Sequence, residues 1–447
     1  MPAPVRPTIS GSLSGLSDGS ILLLENNGGD KLTVSKNGTF TFATPIAFNS
    51  TYAVTIDAHP LTQRCSITNG SGTNVQADVL NVAVACTAAK ESIVHHFNNT
   101  DGAGPMSELT LGPDGNLYGL TSEGGAFNHG TVFKLTPAGA VTVLHSFAGS
   151  PSDGAKPMGA GLTVGADGNF YGVTAFGGTA GNGTFFKLTP SGVHTVLYSF
   201  AGGANDAGLP MGTLKQASDG NFYGTSFEGG PAGIGTVFKI TPAGVATVLH
   251  AFAGTPTDGA YPSGSLNLGT DGNFYALTQG GAASTGAVIK ITPAGATSVL
   301  YSFANDGIDG VGPNGTLVTG RDGNFYGTTS GGGTAHSGTF FKIDPAGVKT
   351  TLYSFAADAT DGAEPTGRLL MGKDGNFYGV TTAGGPKSNG IIFMLTPAGV
   401  KTTLHSFDPY GGDGYQVWAG LTLGADGYLY GVTQLGGTSG YGTIYKY

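Results

Sequence analysis

One turn sequence, repeated at a near-constant interval, constrains this chain more than any other feature. Asp-Gly occurs at Asp114, Asp167, Asp219, Asp271, Asp322, Asp374 and Asp426, at intervals of 53, 52, 52, 51, 52 and 52 residues. A type I′ turn requires positive φ at both central positions, so Asp-Gly between alternating apolar runs marks a β-hairpin. A period near 50 residues belongs to propellers and solenoids, and the content of each unit decides between them. The second unit reads as four strands, GAGLTVG (159–165), NFYGVTAF (169–176), GTFFKLTP (183–190) and HTVLYSF (194–200). Four antiparallel strands in each of seven copies is the blade pattern of a β-propeller.

The ends of the repeat array are offset. The seventh copy stops after its third strand, at Gly442-Thr443-Ile444-Tyr445-Lys446-Tyr447, while a spare fourth strand, Glu91 to Phe97, precedes the first copy. The expected fold is therefore all-β, a seven-bladed β-propeller over residues 91–447 whose ring is closed by segment 91–97 completing the last blade. With 81 glycines and only 11% charged residues, the composition suits short strands and tight turns, and almost no helix is expected. A net charge of −9 with 19 Lys and Arg excludes a nucleic-acid partner, which needs clustered cations. No apolar run is long enough to span a membrane. The start, Met1-Pro2-Ala3-Pro4-Val5-Arg6-Pro7, lacks the charged and apolar regions of a signal peptide and is expected to be a mature secreted chain given a new Met. Cys65 and Cys86, in the strand-like runs RCSIT and VAVAC, predict a disulfide and a location outside the reducing cytoplasm: extracellular, at the cell surface, or periplasmic.

Units such as GTVFKLTPAGAVTVLHSF and DGNFYGVT resemble the tandem-repeat family of secreted bacterial propellers marked by GTVFKLTPxG, LYSF and DGNFYGTT, and the resemblance covers residues 91–447. That membership implies the fold and little chemistry. The segment GLSDGSILLLENNGGDKLTVSKNGTFTF is similar to the pattern GLSGSGLVLxNNGGDxLTVSxNGSFTF of a small bacterial Ig-like domain. This resemblance implies an Ig-like β-sandwich over residues 1–88, a spacer or adhesion module.

The seven copies serve as an internal comparison: positions fixed in every copy serve the fold, and positions that differ are free for a ligand. His95, His145, His250 and His405 alternate with Tyr198, Tyr301 and Tyr353 at one fourth-strand position and are expected to be packing residues. Asp101, Asp153, Asp206, Asp258, Asp309, Asp361 and Asp413 recur before each first strand and read as turn residues. One Asp per copy does not gather the oxygens calcium needs, so no cofactor or metal is expected, with calcium the alternative. The loops between second and third strands vary, which makes their face the expected binding face and brings in Phe127, Phe176, Phe227 and Tyr441.

At the start of the first strand the series runs Met106, Met158, Met211, Ser263, Asn314, Thr366 and Trp418. Trp418, near Tyr415 and Gln416, is expected either to stack on a sugar or to plug the channel. Glu108 and Arg368 depart from the small residues of the other copies and are expected to meet across the channel, as a salt bridge or a substrate clamp. Glu108, His129 and Arg368 are the catalytic candidates for the alternative reading, a lyase or hydrolase of a polysaccharide or lactone. No GxSxG elbow or HExxH helix accompanies them. The favoured class is a binding protein for a carbohydrate or an envelope protein; a self-assembling surface layer or fibre is the third.

Overall fold

The computed structural model describes residues 5–254, 258–262, 264–281, 284–304 and 306–447, so Met1 to Pro4 and Ser263 lie outside it. Among the described residues there is no helix, and none, therefore, long and apolar enough to cross a membrane. The chain divides into two compact units, Met1–Glu91 with Tyr447, and Ser92–Lys446.

The first unit consists of two four-stranded sheets. One runs in the order Gly38–Thr41, Ile9–Ser14, Val79–Ala88, Gln63–Thr68, and the other Asp30–Val34, Leu22–Asn26, Tyr52–Ala58, Ser71–Gly72. Alternate residues of these strands point inward, which places Ile9, Leu13, Leu24, Phe42, Val54 and Val84 in one core. Cys65 and Cys86 face each other in register on adjacent strands and are disulfide-bonded, as the sequence predicts.

In the second unit each repeat forms an antiparallel sheet, of four strands in five repeats and of five in the third and fourth, where the first strand is split in two. The first five residues of every second strand, for example Leu117–Thr121 or Phe170–Thr174, are buried, as expected for a short apolar run covered on both faces. The first strand is shorter than predicted in most repeats. Only Thr163–Val164 pairs within 159–165. In the fifth and sixth repeats it extends to ten residues, Gly310–Thr319 and Gly362–Met371, through a register shift. The last sheet takes its fourth strand from the other end of the unit: Ser92–His96 pairs with Thr443–Lys446, with Ile444 opposite His95. A single core of Leu109 and Phe133 with Tyr430, Val432 and Ile444 packs the seventh repeat against the first.

Each fourth strand ends in a buried Phe, as at Phe97, Phe147, Phe200 and Phe355, all 0% exposed. Such burial contributes about 1.5–3 kcal/mol per ring. Two residues earlier stands the His or Tyr, edge-on to that Phe, so the packing expectation holds. The structure adds a bond the sequence reading did not connect. Every one of these rings donates to the Asp of the following loop, at 2.7–3.0 Å, from His95–Asp101 and His145–Asp153 through Tyr301–Asp309 to His405–Asp413. The same carboxylates accept backbone N–H groups of their own turns, such as Ala148 and Gly154 for Asp153.

The first residue of the next fourth strand completes the junction in three places. Lys349 and Lys401 reach Asp309 and Asp361 as buried ion pairs. At Asp153 the corresponding residue is His194, 8% exposed, stacked on His145 with ring centroids 3.8 Å apart and planes 7° from parallel. Burial, with His145 beside it, lowers His194 to about 4 despite the carboxylate of Asp153. Burial alone would raise Asp153, but the bonds from His145 and the turn amides, together with His194, hold it below its ordinary value.

Two outcomes are expected. His194 titrates at 6.5 when unfolded and at about 4 when folded, so between those values the unfolded chain binds the extra proton. Stability from His194 is full above pH 6.5 and falls by about 3 kcal/mol as pH drops to 4. Denaturation midpoints from pH 7 to 4 should flatten in His194→Val, which copies Val141 of the first repeat; an unchanged slope refutes the assignment. Deleting Ser92–His96 should leave the Thr443–Lys446 edge unpaired and convert a monodisperse elution profile to aggregates. A monomer of unchanged melting temperature would contradict this.

Candidate functional site

Successive strand residues point to opposite faces. In every repeat the first strand turns one Leu into the interior, as with Leu109, Leu162, Leu214 and Leu266. The residue before it lines a cavity shared by all seven repeats. On the side of Trp418 the cavity holds about 780 Å³ including its opening, and is bordered by Met106, Met158, Met211, Asn314 and Trp418. A second chamber of about 810 Å³ lies toward Leu111 and Leu423, near the Asp-Gly turns. Glu108, Thr213 and Arg368 border both and form the waist.

Hydrogen bonds pass from repeat to repeat around this waist. The Gly161 N–H donates to Thr213 Oγ1 at 2.7 Å, the Thr213 N–H to Ser265 Oγ at 2.8 Å, and the Ser265 N–H to Thr316 Oγ1 at 3.1 Å. The Arg368 N–H skips the seventh repeat, where Gly420 offers no side chain, and donates to Glu108 Oε1 at 3.2 Å. A Cβ on Gly420 would stand 2.7 Å from that oxygen. One pleat further, the hydroxyls of Thr110, Thr163 and Thr422 donate to Leu162, Leu214 and Leu109 carbonyls of adjoining repeats.

Glu108 and Arg368 thus meet, but through the backbone amide rather than as the expected carboxylate–guanidinium bridge. The guanidinium is exposed to the cavity without a hydrogen-bond partner among the described residues. Burial pushes the Glu108 carboxyl up, with Arg368 and its amide opposing. Lys215, which the sequence reading did not single out, lies two residues beyond Thr213, and burial together with Arg368 lowers its ammonium.

The Gloeobacter/Verrucomicrobia repeat profile matches residues 58–285 and 268–447. The chain belongs to the Gloeobacter/Verrucomicrobia repeat family. No curated protein matches the sequence. Among solved structures, virginiamycin B lyase from Staphylococcus aureus is similar at a TM-score of 0.52 and 14% identity, over 80% of this chain and 99% of that one. The extracellular domains of two hybrid two-component systems from B. thetaiotaomicron are similar at 0.53 each, with 11% and 10% identity over 85% and 95% of this chain. The chain spans about half the length of those two, 44% and 52%. The likeness is one of fold, a propeller-like array of β-sheets.

In this Gloeobacter/Verrucomicrobia repeat protein Trp418 is 39% exposed, so it does not plug the cavity. Its Nε1–H donates to Gln434 Oε1 at 2.9 Å, and the Gln434 amide is held in turn by the Gln416 carbonyl. Gln416 and the half-buried Tyr415, paired with Leu435, therefore support the indole from behind rather than line the cavity. Gln434 was not foreseen. Phe127 and Tyr441 are exposed on loops, Phe176 is exposed in a short strand paired with Gly154–Ala155, and Phe227 packs on Tyr261 at 4.9 Å. None of the four is among the residues bordering the two chambers. His129 is not among the residues bordering either chamber; its carbonyl accepts the Lys156 N–H.

Ligand atoms of His145, Asp153 and His194 lie within 4.8 Å of one another, a metal-compatible spacing. Their rings are parallel, so the in-plane lone pairs run side by side instead of converging on one ion. The trio is a junction between repeats.

Gly420→Ala should cost about 1–3 kcal/mol through overpacking against Glu108 and the Arg368 carbonyl. At Gly161 the nearest atoms are 3.1 and 3.2 Å from a Cβ, so Gly161→Ala should cost less. Urea denaturation compares the two; equal costs would discount the waist contact.

Proposed function

We propose that the protein is an extracellular binding protein in which the seven sheets are the blades of a closed seven-bladed propeller, carried behind an Ig-like sandwich spacer. The ligand is a saccharide taken at the Trp418 mouth of the central cavity. The observation carrying this reading is the indole itself: partly exposed, fixed by Gln434, at the rim of a cavity large enough for a sugar. An aromatic face held in a defined orientation suits the apolar face of a pyranose, while polar groups deeper in the pocket orient it. The Cys65–Cys86 disulfide supports a location outside the reducing cytoplasm. The position of His129 outside the lining that holds Glu108 and Arg368 favours binding over catalysis.

A glycan array with the full chain and its Trp418→Ala variant tests the reading, with and without calcium. Selective binding by the wild type, lost in the variant and indifferent to calcium, is expected. Binding unchanged by the substitution, or no glycan bound at all, would sink it.

A further inference from the structure

We propose that the waist of the cavity is an oxyanion site built from the hydroxyls of Thr213, Ser265 and Thr316 and the guanidinium of Arg368, and that it receives the carboxylate of a uronate. The saccharide part of this inference rests on the reading above; the anion site does not.

The argument begins with hydrogen-bond direction. A hydroxyl has one proton to donate and lone pairs to accept with. Thr213, Ser265 and Thr316 each accept a backbone N–H from the neighbouring repeat. None of their protons has an acceptor among the described residues, so three O–H donors in successive repeats remain for a ligand. The hydroxyls of Thr110, Thr163 and Thr422 are the reverse case, already donating to carbonyls.

Arg368 adds a fork of N–H donors at the same level, and Lys215 adds a second positive charge one pleat below Thr213. Facing them is one carboxyl, Glu108, whose Oε1 already accepts the Arg368 amide. Burial biases that carboxyl toward its neutral form. Donors outnumber acceptors, and the positive charge is local in a chain of net charge −9. A planar carboxylate matches the guanidinium fork, and Trp418 borders the same chamber for the sugar ring that carries it.

Titration calorimetry of the full chain with sodium glucuronate and with glucose isolates the carboxylate, since the two differ at C6 alone. Glucuronate should bind at least about tenfold more tightly, the effect of one charge-assisted contact. Arg368→Met should remove that preference, and Thr213→Val should reduce it. Glu108→Gln, which keeps an acceptor for the Arg368 amide, should leave it intact. Equal affinities in the wild type, a preference that survives Arg368→Met, or its loss in Glu108→Gln would each overturn the proposal. If neither sugar binds, sulfate decides: a rise in melting temperature present in the wild type and absent in Arg368→Met keeps the anion site while the saccharide reading falls. No difference between the two proteins in sulfate would end both.

Discussion

Each junction between successive repeats turns on one carboxylate. Asp153 is typical: it accepts from the ring of His145 in the repeat before it, from the amides of its own loop, and faces His194 in the repeat after it. Burying a charge without partners is costly, and here the partners come from three separate segments. At Asp153, Asp309 and Asp361 the loop is tied to both neighbouring fourth strands, which couples the sheets on either side of it. Where the ring is Tyr301 or Tyr353, a neutral donor, the next repeat supplies Lys349 or Lys401 and the negative charge is matched. At Asp153 a second, neutral imidazole takes that place, which makes this junction the one most sensitive to acid.

The junctions, the terminal Phe residues and the inward Leu of each first strand locate the sheets, and the opposite pleat of the first strand forms the wall of the cavity. Most repeats place Gly, Ser or Thr there, and these close the waist through amide-to-hydroxyl bonds. The departures from that pattern are concentrated in few copies: Glu108 in the first, Lys215 in the third, Arg368 in the sixth and Trp418 in the seventh. An internally repeated scaffold thus has an asymmetric interior, which a ligand without seven-fold symmetry requires.

The repeat, the strand at 92–96 pairing with the seventh sheet, and the disulfide were all legible in the sequence because each rests on local signals: a turn dipeptide, a spare apolar run, two Cys in strands. The Asp and His/Tyr series were both visible as recurrent positions. Their bond was not, since Tyr and His both donate to the same acceptor and their exchange leaves the Asp unchanged. Trp418, Glu108 and Arg368 stood out as departures, and so would Lys215 have done had the comparison gone one pleat deeper, where the other copies carry Thr, Asn, Val or Leu. Phe127, Phe176 and Tyr441 stand outside the lining of the cavity; variability and exposure mark a free surface without saying how far it stands from the cavity.

Gly420 shows how the asymmetry and the scaffold are reconciled. The waist bonds from Gly161 through Thr213 and Ser265 to Thr316 each use a side-chain hydroxyl of the next repeat as acceptor, and beyond Arg368 the seventh repeat has only Gly420. Glu108, long enough to cross the space Gly420 leaves open, supplies the missing acceptor from the first repeat. A Ser or Thr at position 108 would be too short to reach the Arg368 amide, and a side chain at 420 would obstruct the carboxylate. The acid at 108 is therefore engaged by the frame before any ligand arrives, and it leaves the guanidinium of Arg368, held on the same backbone, facing the cavity. The Glu108 carboxylate is in this arrangement engaged by a backbone amide, while the guanidinium beside it has no hydrogen-bond partner among the described residues.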